Sequence, residues 1–269
     1  MTARIISFYN QKGGVGKTST TALVGYNLAK MGFKVLVIDF DPQANITQLY
    51  LKTATRNGKV KINTTLMGAV RNNLPLDDIK MKIKDRLYLV PTSSDFYLYP
   101  RYIESRYHNE DERVQHMYNM IKDSVIDKFD FIFIDVPPTL GLSNDTAFYA
   151  CDQVILVLQT QERSLQGART VRDYLQNMLV DTFDARTDIL GILPVLSKHR
   201  ARVDDEILDA AKDEFGAENV FDNVLYAMER VKRMDMTGIT DSPSDSWDIK
   251  THKAYKAVAE EMLARLWKA

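Results

Sequence analysis

The sequence predicts a doubly wound, mostly parallel α/β sheet with helices on both faces, in one domain over residues 1–269. Three observations predict it. Short apolar runs rich in β-branched residues alternate with longer helical patterns. Most of those runs are continuous rather than alternating, as strands covered on both faces must be. The first run leads through a glycine-rich turn into a helical pattern, the order from which such sheets are assembled.

The elements follow in order. Strands are expected at "IISFY" (5–9), "KVLVID" (34–39), "RLYLV" (86–90), "FDFIFID" (129–135), "QVILVLQ" (153–159) and "DILGILPVL" (188–196). Helical spacing lies between them at 17–31, 111–127, 164–180 and 203–214. Residues 52–85 are polar and broken by "RNG" and "NLP", and read as a surface excursion. "TDSPSDSWD" (240–248) reads as a loop before a last helix over 250–267. No internal repeat or low-complexity linker is visible.

Composition bounds the function. With 45% hydrophobic residues in 269, the chain can bury a sizeable core. Its formal charge is −1, so any binding to nucleic acid must come from a local patch. The single cysteine, Cys151, excludes a disulfide framework within the chain. It stands at the entry to an apolar run and reads as a small buried hydrophobe. The chain opens directly on a strand-like run with no signal-peptide pattern, and no apolar stretch reaches the roughly 18 residues of a membrane span. A soluble protein of a reducing compartment is expected.

"NQKGGVGKTS" (10–19) carries the chemistry. Glycines let backbone N–H groups crowd around an anion, and a helix N-terminus adds partial positive charge. A nucleotide-phosphate site is therefore expected at Gly13, Gly14, Val15, Gly16, Lys17, Thr18 and Ser19. Lys17 would reach the β- and γ-phosphates, and the Thr18 hydroxyl would hold Mg²⁺. The strict pattern G-x-x-x-x-G-K-[ST] fails at one place, where Gln11 replaces glycine. Lys12 is then a surplus cation. It either adds field to its own site or meets a phosphate carried by a second subunit, and the residues alone leave both open.

"NQKGGVGKTSTTALVGYNLAKMGFKVLVIDFDPQANIT" resembles the deviant Walker A P-loop ATPases, and within them the ParA/Soj family of DNA-partition ATPases. The resemblance is closest over 4–50 and 129–167, looser over 188–267 and loosest over 52–128. Gln11 itself resembles ParA, since the MinD branch more often has glycine there. The resemblance implies that Lys12 is the signature lysine, which reaches across an ATP-bound homodimer to the partner's phosphates. ATP and Mg²⁺ are the implied nucleotide and metal.

Two acids, Asp39 and Asp41, end the second strand in "VLVIDFDPQAN", where ligands sit in such sheets. Phosphoryl transfer to water needs a group to orient the water and acids to manage Mg²⁺. The resemblance assigns hydrolysis to the second acid, Asp41; Asp41-Pro42 is also a good turn starter. "FDFIFIDVPPTLG" resembles the Walker B strand and switch segment of the family, with Thr139 in place of the usual serine. Asp135 is then an implied Mg²⁺ residue together with Thr18 and Asp41, and Pro137-Pro138 would stiffen the γ-phosphate-sensing turn. "VLQTQERSLQGARTV" resembles the segment after the next strand, with Glu162, Ser164 and Gly167 matching. Ser164 is read either as the N-cap of the next helix or as a dimer or nucleotide contact.

The strand end "ILPVLSKHR" lacks the N-K-x-D loop by which guanine-specific relatives of this fold read the base. This points to adenine, with Pro194 and the backbone near residue 228 as candidate contacts. Two basic clusters could bind phosphate backbone by counterion displacement: Lys198, Arg200 and Arg202 in "SKHRAR", and Arg230, Lys232 and Arg233 in "MERVKRMD". The resemblance implies nonspecific DNA binding near these stretches, a ParB-like centromere-binding partner that stimulates slow hydrolysis, and a cytoplasmic, nucleoid-associated protein. A chain that starts at the phosphate-loop strand is expected to lack an N-terminal operator-binding domain, and hence specific autorepression.

Two other readings compete. A nitrogenase-like iron protein needs clustered cysteines, and one cysteine does not supply them. A MinD-like membrane ATPase would use a C-terminal amphipathic helix. The last helix carries an apolar stripe of Tyr255, Val258, Ala259, Met262, Leu263 and Leu266. Its opposite side mixes Lys253 and Lys256 with Glu260 and Glu261, which suits a helix docked on the sheet better than one lying on anionic lipid. No membrane partner is expected.

Overall fold

A computed structural model of the chain describes residues 2–55, 60–197 and 202–268. Eight strands form one sheet in the order β3-β4-β2-β5-β1-β6-β7-β8. They are β1 (Arg4–Tyr9), β2 (Val35–Asp39), β3 (Met81–Lys84), β4 (Leu87–Val90), β5 (Phe131–Asp135), β6 (Gln153–Gln159), β7 (Asp188–Ser197) and β8 (Leu225–Tyr226). Every pairing is parallel except β3 with β4. The doubly wound α/β fold expected from the sequence is the fold observed.

The strands read as unbroken apolar runs because alternate residues enter two different cores. Ile5 and Tyr9, Leu36 and Ile38, Ile132 and Ile134 join one. Ile6 and Phe8, Val35 and Val37, Phe131 and Phe133 join the other. The first face is covered by helices that include Leu66–Asn72, Glu110–Ser124, Leu142–Ala150 and Glu162–Tyr174. The second is covered by Lys17–Lys30, Asn45–Thr55 and Ser246–Leu266. The whole predicted stripe of that last helix is buried, from Tyr255 to Leu266, and the helix packs along Lys17–Lys30.

Three expectations are corrected. Residues 60–85 are no surface excursion, because Leu66, Met67, Ala69, Val70, Leu76 and Ile79 are all buried in the first core. They sit on helices of seven and four residues, too short to show a period in sequence. The last helix starts at Ser246 rather than 250, because the Asp245 side chain accepts from the Trp247 N–H and caps it inside the expected loop. The segment 164–180 is regular only to Tyr174 and finishes as a π-helical turn, Leu175–Val180.

Candidate active site

β2, β5, β1 and β6 are adjacent and parallel, so their carboxyl ends open on one edge. The chain puts its polar residues there. Asp39 ends β2, Asp135 ends β5, the glycine-rich loop follows β1, and Gln159 ends β6. Asp39 and Asp135 are register partners on neighbouring strands.

The loop must pass Gly14 at φ 74° and Gly16 at φ 90°, a region that side chains disfavour. Gly16 then caps helix Lys17–Lys30 with no side-chain cap, and no acid stands in that helix's first turn. Its leading N–H groups and partial positive charge stay available to an anion. A cleft of about 460 Å³ opens there, lined by Gly13, Gly14, Lys17, Thr18, Asp41 and Pro138 among others. Gly16 and Ser19 line it too, while Val15 is buried in the second core behind it.

Lys17 is 7% exposed, with its ammonium donating to the Lys12 carbonyl at 3.1 Å and lying over the Tyr9 ring. Burial lowers its pKa, and Asp135 and Asp41 oppose the shift by favouring the charged form. Lys12 goes the other way. Its ammonium does not line the cleft but donates to Gln159 Oε1 at 2.9 Å and to Gln161 Oε1. The two lysines of one loop thus take different partners, Lys17 within the cleft and Lys12 at the end of β6.

Asp39 and Asp135 differ in how they are satisfied. Asp39 accepts from the Thr47 N–H at 3.0 Å and hydroxyl at 2.6 Å, and from the Asp41 N–H. Burial still pushes its carboxyl up to about 7. Both oxygens of Asp135 are buried with no hydrogen-bond partner. Its pKa stands well above the carboxylate range, first from burial and then from the Asp39 charge. The Thr18 hydroxyl lies beside it and favours ionisation without completing a hydrogen bond. A buried carboxylate left bare next to a hydroxyl fits a divalent cation, which would supply the missing charge. Among the described residues no three His, Cys, Asp or Glu side chains form a metal cage. Magnesium needs none where phosphate oxygens and water complete its shell.

Asp41 is 9% exposed, lines the cleft and accepts from the Gln43 N–H at 2.9 Å. The proline turn is fixed from two sides, by Tyr9 Oη donating to the Pro138 carbonyl at 2.8 Å and Asn144 Nδ2 to the Pro137 carbonyl at 3.0 Å.

Sequence reasoning missed a network behind the loop. Asn10 is fully buried and donates to the Val157 carbonyl, the Ser164 carbonyl and Ser164 Oγ. Its own Oδ1 accepts from the Lys12 N–H. Ser164 Oγ also accepts from the Gln159 N–H, so Ser164 is not the N-cap, a place held by Gln161. A Cβ on Gly167 would stand 2.7 Å from Asn10 Oδ1, which explains the glycine.

Two candidate contacts move. A small cavity beside Ser19 and Thr20 is lined by Val195 and Met228, not by Pro194. Val195 joins the second core, so Pro194, one residue earlier on the strand, faces the first. Arg230 is no free surface cation. It pairs with Asp248 at 2.5 Å and Asp245 at 3.6 Å and also bonds the Thr240 hydroxyl. Lys232 and Arg233 are exposed, Lys232 beside Glu229 at 2.8 Å. Arg202 opens helix Arg202–Phe215, while Lys198 and Arg200 lie outside the described residues.

The model of the AAA domain family matches residues 3–185. The chain belongs to that AAA domain family. Its homologues include the chromosome partitioning protein ParA of Caulobacter vibrioides, 27% identical over 97% of this chain and 94% of that one. The chromosome-partitioning ATPase Soj of Treponema pallidum is 27% identical over 97% of this chain and 98% of that one. In fold, the AAA domain here is similar to apo McdA of Cyanothece, with TM-score 0.79, 19% identity and coverage of 98% and 99%. It is also similar to a putative plasmid partition protein of Borrelia burgdorferi bound to AMPPNP, with TM-score 0.76, 19% identity and the same coverage. A third neighbour, cobyrinic acid a,c-diamide synthase of Mycobacterium smegmatis with ADP and magnesium, has TM-score 0.70, 24% identity and coverage of 99% and 96%.

Proposed function

We propose that the chain is a ParA-type partition ATPase that hydrolyses ATP to ADP and phosphate and dimerises when ATP is bound. The observation that carries this reading is the pair of lysines, one buried in its own phosphate cleft and one turned out of it. ParA and Soj are relatives along nearly the whole chain, and the AMPPNP-bound partition protein shares the fold.

In this reading the loop N–H groups and Lys17 bind the β- and γ-phosphates. Thr18 and Asp135 hold Mg²⁺, which would neutralise charge on the transferred group. Asp41, on the cleft wall, orients the attacking water and takes its proton. The turn at Pro137-Pro138, tied to Tyr9 and Asn144, couples the phosphate end of the cleft to helix Leu142–Ala150. Lys12 reaches the phosphates of a second subunit. Val195 and Met228 mark the place of the adenine. The ATP-bound dimer binds DNA without sequence preference through Lys232 and Arg233, together with Lys198, Arg200 and Arg202, and a ParB-like centromere-binding protein stimulates hydrolysis. A cytoplasmic, nucleoid-associated protein follows from that binding.

The test is retention of duplex DNA with AMPPNP, with ADP and without nucleotide, set beside co-sedimentation with anionic vesicles. AMPPNP-dependent DNA binding is expected, falling with salt by a log–log slope of about −0.9 per phosphate neutralised. Nucleotide-dependent vesicle binding without DNA binding would replace this reading with a MinD-like one.

A further inference from the structure

We propose that Gln159 and Gln161 are positioning residues for Lys12, forming a carbonyl clamp that holds its ammonium out of its own cleft and ready for the phosphates of a second copy of this chain. The proposal rests on the dimer reading of Lys12 given above. The observation is direct. Lys12 Nζ donates to Gln159 Oε1 at 2.9 Å and to Gln161 Oε1, residues at the end of β6 and at the N-cap of the next helix.

The chemistry of the clamp suits a cation meant for another molecule. An ammonium has three donors, and two carbonyls leave one N–H free. Amide oxygens orient the charge without cancelling it, whereas a carboxylate in either place would neutralise it. The clamp is also built into the loop rather than resting on it. Asn10 accepts from the Lys12 N–H and donates to Ser164 Oγ, and that same oxygen accepts from the Gln159 N–H. One buried asparagine thus fixes the root of the lysine and, through Ser164, the strand end that carries its acceptor. A free lysine side chain would lose its rotamer freedom on association, and a clamped one has already lost it.

The experiment is sedimentation of full-length variants with AMPPNP and Mg²⁺, with nucleotide affinity and thermal unfolding of the same preparations. Gln159→Met with Gln161→Met keeps side-chain length and removes both acceptors. It is expected to weaken nucleotide-driven dimerisation about a hundredfold, about tenfold for each of the two lysines in a symmetric dimer, the order set by lysine rotamer entropy. Monomer nucleotide affinity and melting should stay as in the wild type. Added to Lys12→Ala, the same pair should change nothing further, since the clamp then has nothing to hold. Gln161 is exposed, so Gln161→Met alone serves if the double variant does not fold, and must shift dimerisation the same way. Wild-type dimerisation by the clamp variant, or an equal further loss in the Lys12→Ala background, overturns the clamp while leaving the dimer reading intact. Wild-type dimerisation by Lys12→Ala itself overturns the dimer reading and the clamp with it.

Discussion

A carboxylate buried with no partner destabilises a fold until something outside the chain completes it. Asp135 is in that position, with both oxygens bare and the Asp39 carboxyl beside it. Asp135→Asn removes the charge and keeps the shape. It is expected to raise the stability of the nucleotide-free chain, because burial and the Asp39 charge make an ionised carboxylate costly there and the amide carries no charge. It should also abolish the part of nucleotide stabilisation that depends on magnesium. Thermal unfolding with and without Mg²⁺ and ADP reads both; an unchanged magnesium response would remove Asp135 from the metal site. Arg230 is the opposite case, a cation whose partners are already inside. Asp248 is 1% exposed; burial pushes its carboxyl up, but Arg230, Thr240 and the Ser242 N–H outweigh that and hold it below the usual range. Arg230→Ala leaves that charge unpaired and is expected to destabilise the chain by about 3–5 kcal/mol. DNA binding lost in that variant at a temperature where it is unfolded says nothing about contacts, and melting curves make the distinction.

At the scale of elements, helix Glu110–Ser124 carries a titration into the first core. His116 accepts or donates at Nδ1 with Tyr99 Oη, and burial, then the Arg106 charge, lowers its pKa from 6.5 to about 4. A folded pKa below the unfolded one means protonation favours unfolding. The neutral imidazole's contribution is complete above pH 6.5 and is lost as pH falls towards 4, up to about 3 kcal/mol. His116→Gln should flatten that window relative to the wild type in melts between pH 4 and 7. The last helix makes a second test. Deleting residues 252–269 removes Tyr255, Val258, Met262 and Leu263 from the second core. The truncated chain is expected to melt far lower, because each large apolar side chain lost from a core costs about 2–5 kcal/mol; unchanged melting would mean the helix is not docked in solution. This helix was readable because its stripe runs through a long element. Interior strands were readable because two cores force continuous apolar runs. β3 was not, since Ile83 is the buried residue of a four-residue edge strand between exposed or half-buried neighbours. β8 is two residues long and has no pattern to read. The phosphate loop was legible as a motif local in sequence. The Asn10–Ser164 link was not, because it joins positions 154 apart and only the β1–β6 pairing brings them together.

The whole molecule places one polar edge at the carboxyl ends of four adjacent parallel strands and fills both faces of the sheet with core. The loop after β1, Asp41 after β2, the proline turn after β5 and Gln159 at the end of β6 all border that edge. Lys232 and Arg233 are exposed on helix Glu229–Thr237 and line neither the phosphate cleft nor the cavity beside Ser19, so the proposed DNA binding can be tested apart from the proposed hydrolysis. Replacing Lys232 and Arg233 with Ala is expected to weaken DNA binding equally across sequences and to reduce the salt slope by about 2 for each protomer in contact with DNA. Dimerisation and melting should be unaffected, and undiminished DNA binding would exclude this patch. In the proposed function ATP closes a dimer, and hydrolysis supported by Asp41 opens it. The most direct test is sedimentation velocity of Asp41→Ala with ATP and Mg²⁺, with the bound nucleotide analysed afterwards. A persistent dimer holding unhydrolysed ATP is expected, where the wild type returns to monomer with ADP. A variant that stays monomeric with ATP bound, or turns ATP over at the wild-type rate, would contradict the proposal.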